Sequence, residues 1–81
     1  MVVLIQFSGT LRETVKTDSL TMPVTEGTRV HDALEYVRKQ YPSLHLDNTT
    51  TIVTVNHEIA SHDRVLAAND IVGFLPFIGG G

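Results

Sequence analysis

The residues with the clearest chemical potential are Gly79, Gly80 and Gly81, the last three of 81. Glycine has no Cβ, so three in succession form a strip thin enough to lie extended in a channel that excludes side chains. The group at the end of that strip is a carboxylate. Its reference pKa of about 3.3 to 3.7 leaves it ionised at neutral pH and a poor acyl donor. Its chemistry therefore requires activation, typically as an adenylate made by an ATP-using partner, after which the acyl carbon accepts a sulfur or a lysine amine. Average sequence is about 7% glycine, so Gly-Gly ends a chain by chance about once in 200 and a triple far less often. The ending calls for a functional explanation.

The element that must present this carboxylate is the apolar stretch before it. Ile71 to Phe77 reads as a strand. Its two-residue period puts Ile71, Gly73, Leu75 and Phe77 on one side and Val72, Phe74, Pro76 and Ile78 on the other. Both sides are apolar. A single helix covers one face of a sheet, which leaves the second apolar set near the tail for a partner, unless the strand is buried on both faces within its own domain. Phe77 and Ile78 lie so close to the end that little chain remains to cover them, and they are the foremost interface anchors.

The elements upstream supply the platform. Val2 to Phe7 is a nearly unbroken apolar run, as in a strand buried on both faces. Ser8-Gly9-Thr10 ends it, and a polar loop with Arg12, Glu13 and Lys16 follows. Leu20, Met22 and Val24 alternate with Thr21, Pro23 and Thr25, which predicts a half-buried strand, and Pro23 confines it to an edge. Thr28 is the expected N-cap of a helix whose Val30, Ala33, Leu34, Val37 and Tyr41 fall on one face. Arg29, Asp32, Glu35, Arg38 and Lys39 take the other, read as a solvated face, and Pro42 ends the helix. After a loop over residues 44–50, Thr51 to Val55 forms a third strand. Asn56-His57-Glu58 turns it into a short Ile59-Ala60 strand. The order is ββαβββ, an α+β fold with one main helix on a mixed five-stranded sheet, the β-grasp arrangement of ubiquitin-like domains. Residues 1–78 form that domain and 79–81 a flexible tail.

Composition narrows the classes. The chain is long enough for one small domain with a thin core, and a domain with so little stability to spare favours a partner. Nine acids against six bases give a net charge of −3 with no basic stripe, so nucleic acid is not an expected partner. There is no cysteine, so any sulfur the chain carries must sit on the terminal carboxylate rather than on a thiol. The start carries no signal-peptide pattern and no apolar run approaches a membrane span, so a cytoplasmic protein without a membrane partner is expected. His31, His45, His57 and His62 match no metal-ligand spacing. No serine has the context of a hydrolase nucleophile, and no helix follows the glycines to make a phosphate cradle. Any catalytic side chains are expected from a partner, and no cofactor is expected on this chain.

The segment Asp70-Ile71-Val72-Gly73-Phe74-Leu75-Pro76-Phe77-Ile78-Gly79-Gly80-Gly81 resembles the carboxyl end of the small subunit of molybdopterin synthase, a ubiquitin-like sulfur carrier. Val55-Asn56-His57-Glu58-Ile59, Asp63, Leu66 and Asn69-Asp70 extend the resemblance upstream, and Phe7 with Leu11-Arg12-Glu13 carries it into the first half. Pro76-Phe77 stands where the family commonly has two prolines. Asn69-Asp70 stands where it has Gly-Asp, and Asn is the residue best able to replace Gly at positive φ. The Gly-Gly-Gly end also resembles the sulfur carriers of thiamine synthesis. The resemblance implies that an ATP-dependent adenylating enzyme activates Gly81 and a sulfur donor converts it to a thiocarboxylate. The tail then enters the large subunit of molybdopterin synthase and gives sulfur to a pyranopterin precursor. Gly80 and Gly81 are the working residues on this reading, Gly79 gives clearance, and Phe74, Leu75, Pro76, Phe77 and Ile78 hold the partner. A carrier for thiamine or another metabolite, and a modifier joined to lysines through Gly81, share the same tail.

Overall fold

Two strands, β1 (Val2–Phe7) and β5 (Ile71–Pro76), run parallel in the body of the sheet, and the other elements are arranged on them. The computed structural model describes residues 1–42, 44, 46 and 51–76. Between these strands in the chain come α1 (Gly9–Val15), β2 (Ser19–Pro23), α2 (Val30–Gln40), β3 (Thr51–Val55) and β4 (Glu58–Ile59). The spatial order is β2-β1-β5-β3-β4, antiparallel everywhere except at the β1–β5 junction. The expected strands and main helix are all present, and β5 is central. Pro23 is on an edge strand as its missing N–H requires.

The core lies between α2 and one face of the sheet. Val3, Ile5 and Phe7 of β1, Val53 and Val55 of β3, and Val72 and Phe74 of β5 project from alternate positions onto Val30, Ala33, Leu34 and Val37 of α2. The Phe7 ring meets that of Tyr41 edge to face at 5.9 Å, fixing the C-terminal end of α2 to the end of β1. A side chain of Val, Leu or Phe buried this way contributes about 1.5 to 3 kcal/mol, so α2 is held by its stripe rather than by helix propensity.

Three local expectations are corrected. β1 is not buried on both faces: Val2 and Gln6 are exposed and Leu4 is half-buried, because the sheet has a helical layer on one side only. Residues 9–15 form a helix rather than a polar loop. Its one apolar pair at i and i+4, buried Leu11 and partly buried Val15, docks on the core, and Lys16 at φ 60° closes it by donating its N–H to Arg12 O. Thr28 is not the N-cap of α2. Arg29 holds that position, with its own N–H donated to Asp32 Oδ2 at 2.8 Å. Thr28 instead accepts the Thr25 N–H on its hydroxyl and the Leu66 N–H on its carbonyl. The second contact belongs to a short bridge between Arg29 and Val65 that keeps the backbone extended one residue further.

Candidate functional site

The site is built on β5, whose position is fixed at its start by a hydrogen-bonded clasp. Asn56 and His57 take φ values of 53° and 71°, the two successive left-handed residues of a tight hairpin between β3 and β4. That turn aims the Asn56 amide at the chain entering β5. Its Oδ1 accepts the Ile71 N–H at 3.0 Å and its Nδ2 donates to Asp70 Oδ1 at 3.0 Å. The other Asp70 oxygen accepts the Ala67 N–H at 2.8 Å, closing the turn in which Asn69 has φ 69°. The Asp70 carboxyl is held below its ordinary value chiefly by the Ala67 N–H; burial opposes this, and the Asn56 amide and the positive charge of Arg64 add to the lowering. Asn69 thus takes the positive φ expected of it. Asn56 and Asp70 were legible as turn residues, but their pairing across the hairpin was not.

From this clasp β5 runs through the sheet with its two faces in different surroundings. Val72 and Phe74 are fully buried beneath α2. Phe74, expected among the partner-holding residues, is a core side chain with no exposed surface, and in this conformation it offers a docking partner nothing. Leu75 faces the open side, is 43% exposed, and sits across from half-buried Ile52 of β3. Half-buried Ile71 lies on the same open side across from half-buried Leu4. The backbone of Pro76 pairs with Thr51, so the strand stays in the sheet to its last described residue. Phe77, Ile78, Gly79, Gly80 and Gly81 lie outside the described residues.

Gly73 makes a notch in that open side. A Cβ there meets Thr54 Oγ1 at 2.6 Å, closer than real Cβ contacts come, so any larger residue displaces the Thr54 hydroxyl, while the neighbours of Gly73 stand proud of it. The notch opens into a cleft of about 500 Å³ bordered by Gln6, Ser8, Asp18, Thr54, His57 and Leu75. Its border combines polar side chains with the apolar Leu75, which suits a partner side chain resting on the sheet. No group of three or more His, Asp or Glu side chains able to hold a metal occurs among the described residues. Among them, too, no helix is long and apolar enough to cross a membrane.

Comparison with known proteins agrees with this architecture. SAMP1 from Haloferax volcanii superposes with a TM-score of 0.84 at 22% identity, covering 100% of both chains. A putative molybdopterin converting factor subunit 1 from Pyrococcus furiosus superposes at 0.83 with 23% identity, covering 96% of this chain and 99% of that one. The complex of subunits 1 and 2 of molybdopterin-converting factor from Helicobacter pylori contains a chain that superposes at 0.64 with 17% identity and full coverage of both. No curated protein matches in sequence. The fold is therefore the ubiquitin-like β-grasp. The ThiS family model matches residues 5–81, from β1 through the three glycines, and the chain belongs to the ThiS family.

Proposed function

We propose that the chain is the sulfur-carrying small subunit of a molybdopterin synthase. The observation that carries the reading is a central strand, half core and half open-faced, running directly toward a Gly-Gly-Gly end within a family match that includes that end. A partner enzyme uses ATP to adenylate the Gly81 carboxylate: a carboxylate oxygen attacks the α-phosphorus and pyrophosphate leaves. A sulfur donor then displaces AMP from the acyl carbon, leaving a thiocarboxylate. In the synthase large subunit that sulfur passes to a pyranopterin precursor. This chain supplies reach, clearance and a docking surface, while ATP and the catalytic side chains belong to its partners.

Gly79 and Gly80 are assigned clearance and Gly81 the reacting group. Leu75, Pro76, Phe77 and Ile78 are assigned to the partner interface. Support for a large-subunit partner comes from the Helicobacter pylori complex, whose two subunits are those of a molybdopterin-converting factor. The Haloferax volcanii neighbour is called a small archaeal modifier, which favours as second reading conjugation of Gly81 to lysines after the same adenylation. The test is Gly80→Leu with purified activating enzyme, ATP and a sulfide source. The variant is expected to keep the circular dichroism and melting temperature of the parent while forming no thiocarboxylate. Unimpaired thiocarboxylate formation by Gly80→Leu contradicts the proposal.

A further inference from the structure

The β2 edge of the sheet carries main-chain groups that no bond among the described residues uses, in a self-complementary arrangement. In the β1–β2 ladder the Phe7 N–H bonds Asp18 O and the Val24 N–H bonds Met1 O, so by the alternation of an antiparallel pair the residues turned toward β1 are Asp18, Leu20, Met22 and Val24. Ser19, Thr21 and Pro23 therefore direct their main-chain groups outward. Thr21 presents both an N–H and a C=O, Ser19 an N–H, and Pro23 a C=O without a donor. The Ser19 carbonyl already accepts the Thr17 hydroxyl at 3.1 Å.

We infer that this edge pairs with the β2 edge of a second copy of the chain, antiparallel about a two-fold axis at Thr21. Thr21 then exchanges two hydrogen bonds with Thr21 of the second copy, and each Ser19 N–H donates to the Pro23 carbonyl opposite. Pro23 is normally a guard against edge pairing, because the acceptor facing it is left without a donor. Here the acceptor facing it is the Ser19 carbonyl of the second copy, already satisfied by Thr17. A foreign strand lacks that provision.

The groove beside this edge has matching charge. It has a volume of about 340 Å³ and lies between β2 and α2, bordered by Met22, Pro23, Asp32, Glu35, Tyr36 and Lys39. α2 runs antiparallel to β2, since Arg29 follows the turn after Val24 and Tyr41 lies against Phe7 at the other end. A two-fold axis at Thr21 therefore passes near Tyr36, the midpoint between Asp32 and Lys39. Across that axis Lys39, which has no ion-pair partner among the described residues, comes to Asp32 and Glu35 of the second copy, and the converse pair forms by symmetry. The product is a continuous sheet through both copies, with both helices on one side and both open faces and Leu75 side chains on the other.

Sedimentation equilibrium of the full chain, with amide shifts followed on dilution, tests this. The expected result is a monomer–dimer equilibrium with dilution shifts concentrated at residues 19–23 and on the Asp32–Lys39 side of α2. Thr21→Pro removes an outward N–H that no bond among the described residues uses, so it is expected to fold normally and to abolish the dimer. Lys39→Glu is expected to weaken dimerisation about tenfold, less so at high salt. A chain that stays monomeric at millimolar concentration overturns the inference, as does a dimer insensitive to Thr21→Pro. A monomer whose Thr21 amide shifts with a synthetic hexapeptide of alternating valine and lysine also overturns it, in favour of a partner strand.

Discussion

Neighbouring residues of β5 are predicted to respond oppositely to mutation, because one belongs to the core and the other to the open face. Phe74 has no exposed surface and packs beneath α2, while Leu75 is 43% exposed across from Ile52. Truncating a buried Phe to Ala costs about 3 to 5 kcal/mol, against roughly 4 to 12 kcal/mol of total stability for a domain of this length. Phe74→Ala is thus close to unfolding the chain, and Phe74→Leu, at about 1 to 2 kcal/mol, is the informative variant. It is expected to lower the melting temperature by about 5 to 15 °C. Leu75→Ala removes a side chain that has left only part of its surface in contact, and is expected to cost less than about 1 kcal/mol. The assay is urea and thermal unfolding followed by circular dichroism, with calorimetric binding to the activating enzyme or to a synthase large subunit. Phe74→Leu should be less stable but bind normally once folded, and Leu75→Ala should be stable but bind weakly. A Phe74→Leu variant that keeps full stability and loses binding would place Phe74 at the interface rather than in the core.

Three further expectations follow from the turns and the clasp. The left-handed φ of 71° at His57 favours glycine, so His57→Gly is expected to stabilise the fold by about 0.5 to 1 kcal/mol, read as a shift of the urea midpoint. The Asp70 carboxyl titrates below its ordinary 3.8, so its contribution is fully present above about pH 4 and is lost as pH falls through the lowered folded value; in Asp70→Asn the fall in urea midpoint between about pH 5 and pH 2 should be shallower than in the parent. Asn56→Ala removes the acceptor for the Ile71 N–H and a donor to Asp70 together, and is expected to cost about 1 to 3 kcal/mol and to speed amide exchange of Ile71.

The sheet was readable in the sequence because its signals are local: alternation along residues 20–24, a β-branched run at 51–55 and helical spacing from Val30 to Val37. Pro23 fixed an edge, and Asn69 fixed a left-handed turn. What escaped depended on contacts distant in the chain. A helix with a single apolar pair, Leu11 and Val15, is too short to show a period, and the core it docks on is assembled from the whole chain. The extended backbone at Thr28 follows from the bridge between Arg29 and Val65, which no window around Thr28 contains. For the site, periodicity correctly separated Val72 and Phe74 from Ile71, Gly73 and Leu75, but not which set faces α2. Only the placement of the helix decides that Phe74 goes inward and Leu75 outward.

Whether Gly81 carries sulfur is decided by the intact mass of the untagged chain isolated from its own cells, with the C-terminal peptide fragmented. The expected species is heavier by the replacement of one oxygen with sulfur, with the change on Gly81. An unmodified Gly81 in every free chain, with Gly81 joined to lysines of other proteins and no thiocarboxylate at any stage, contradicts sulfur carriage.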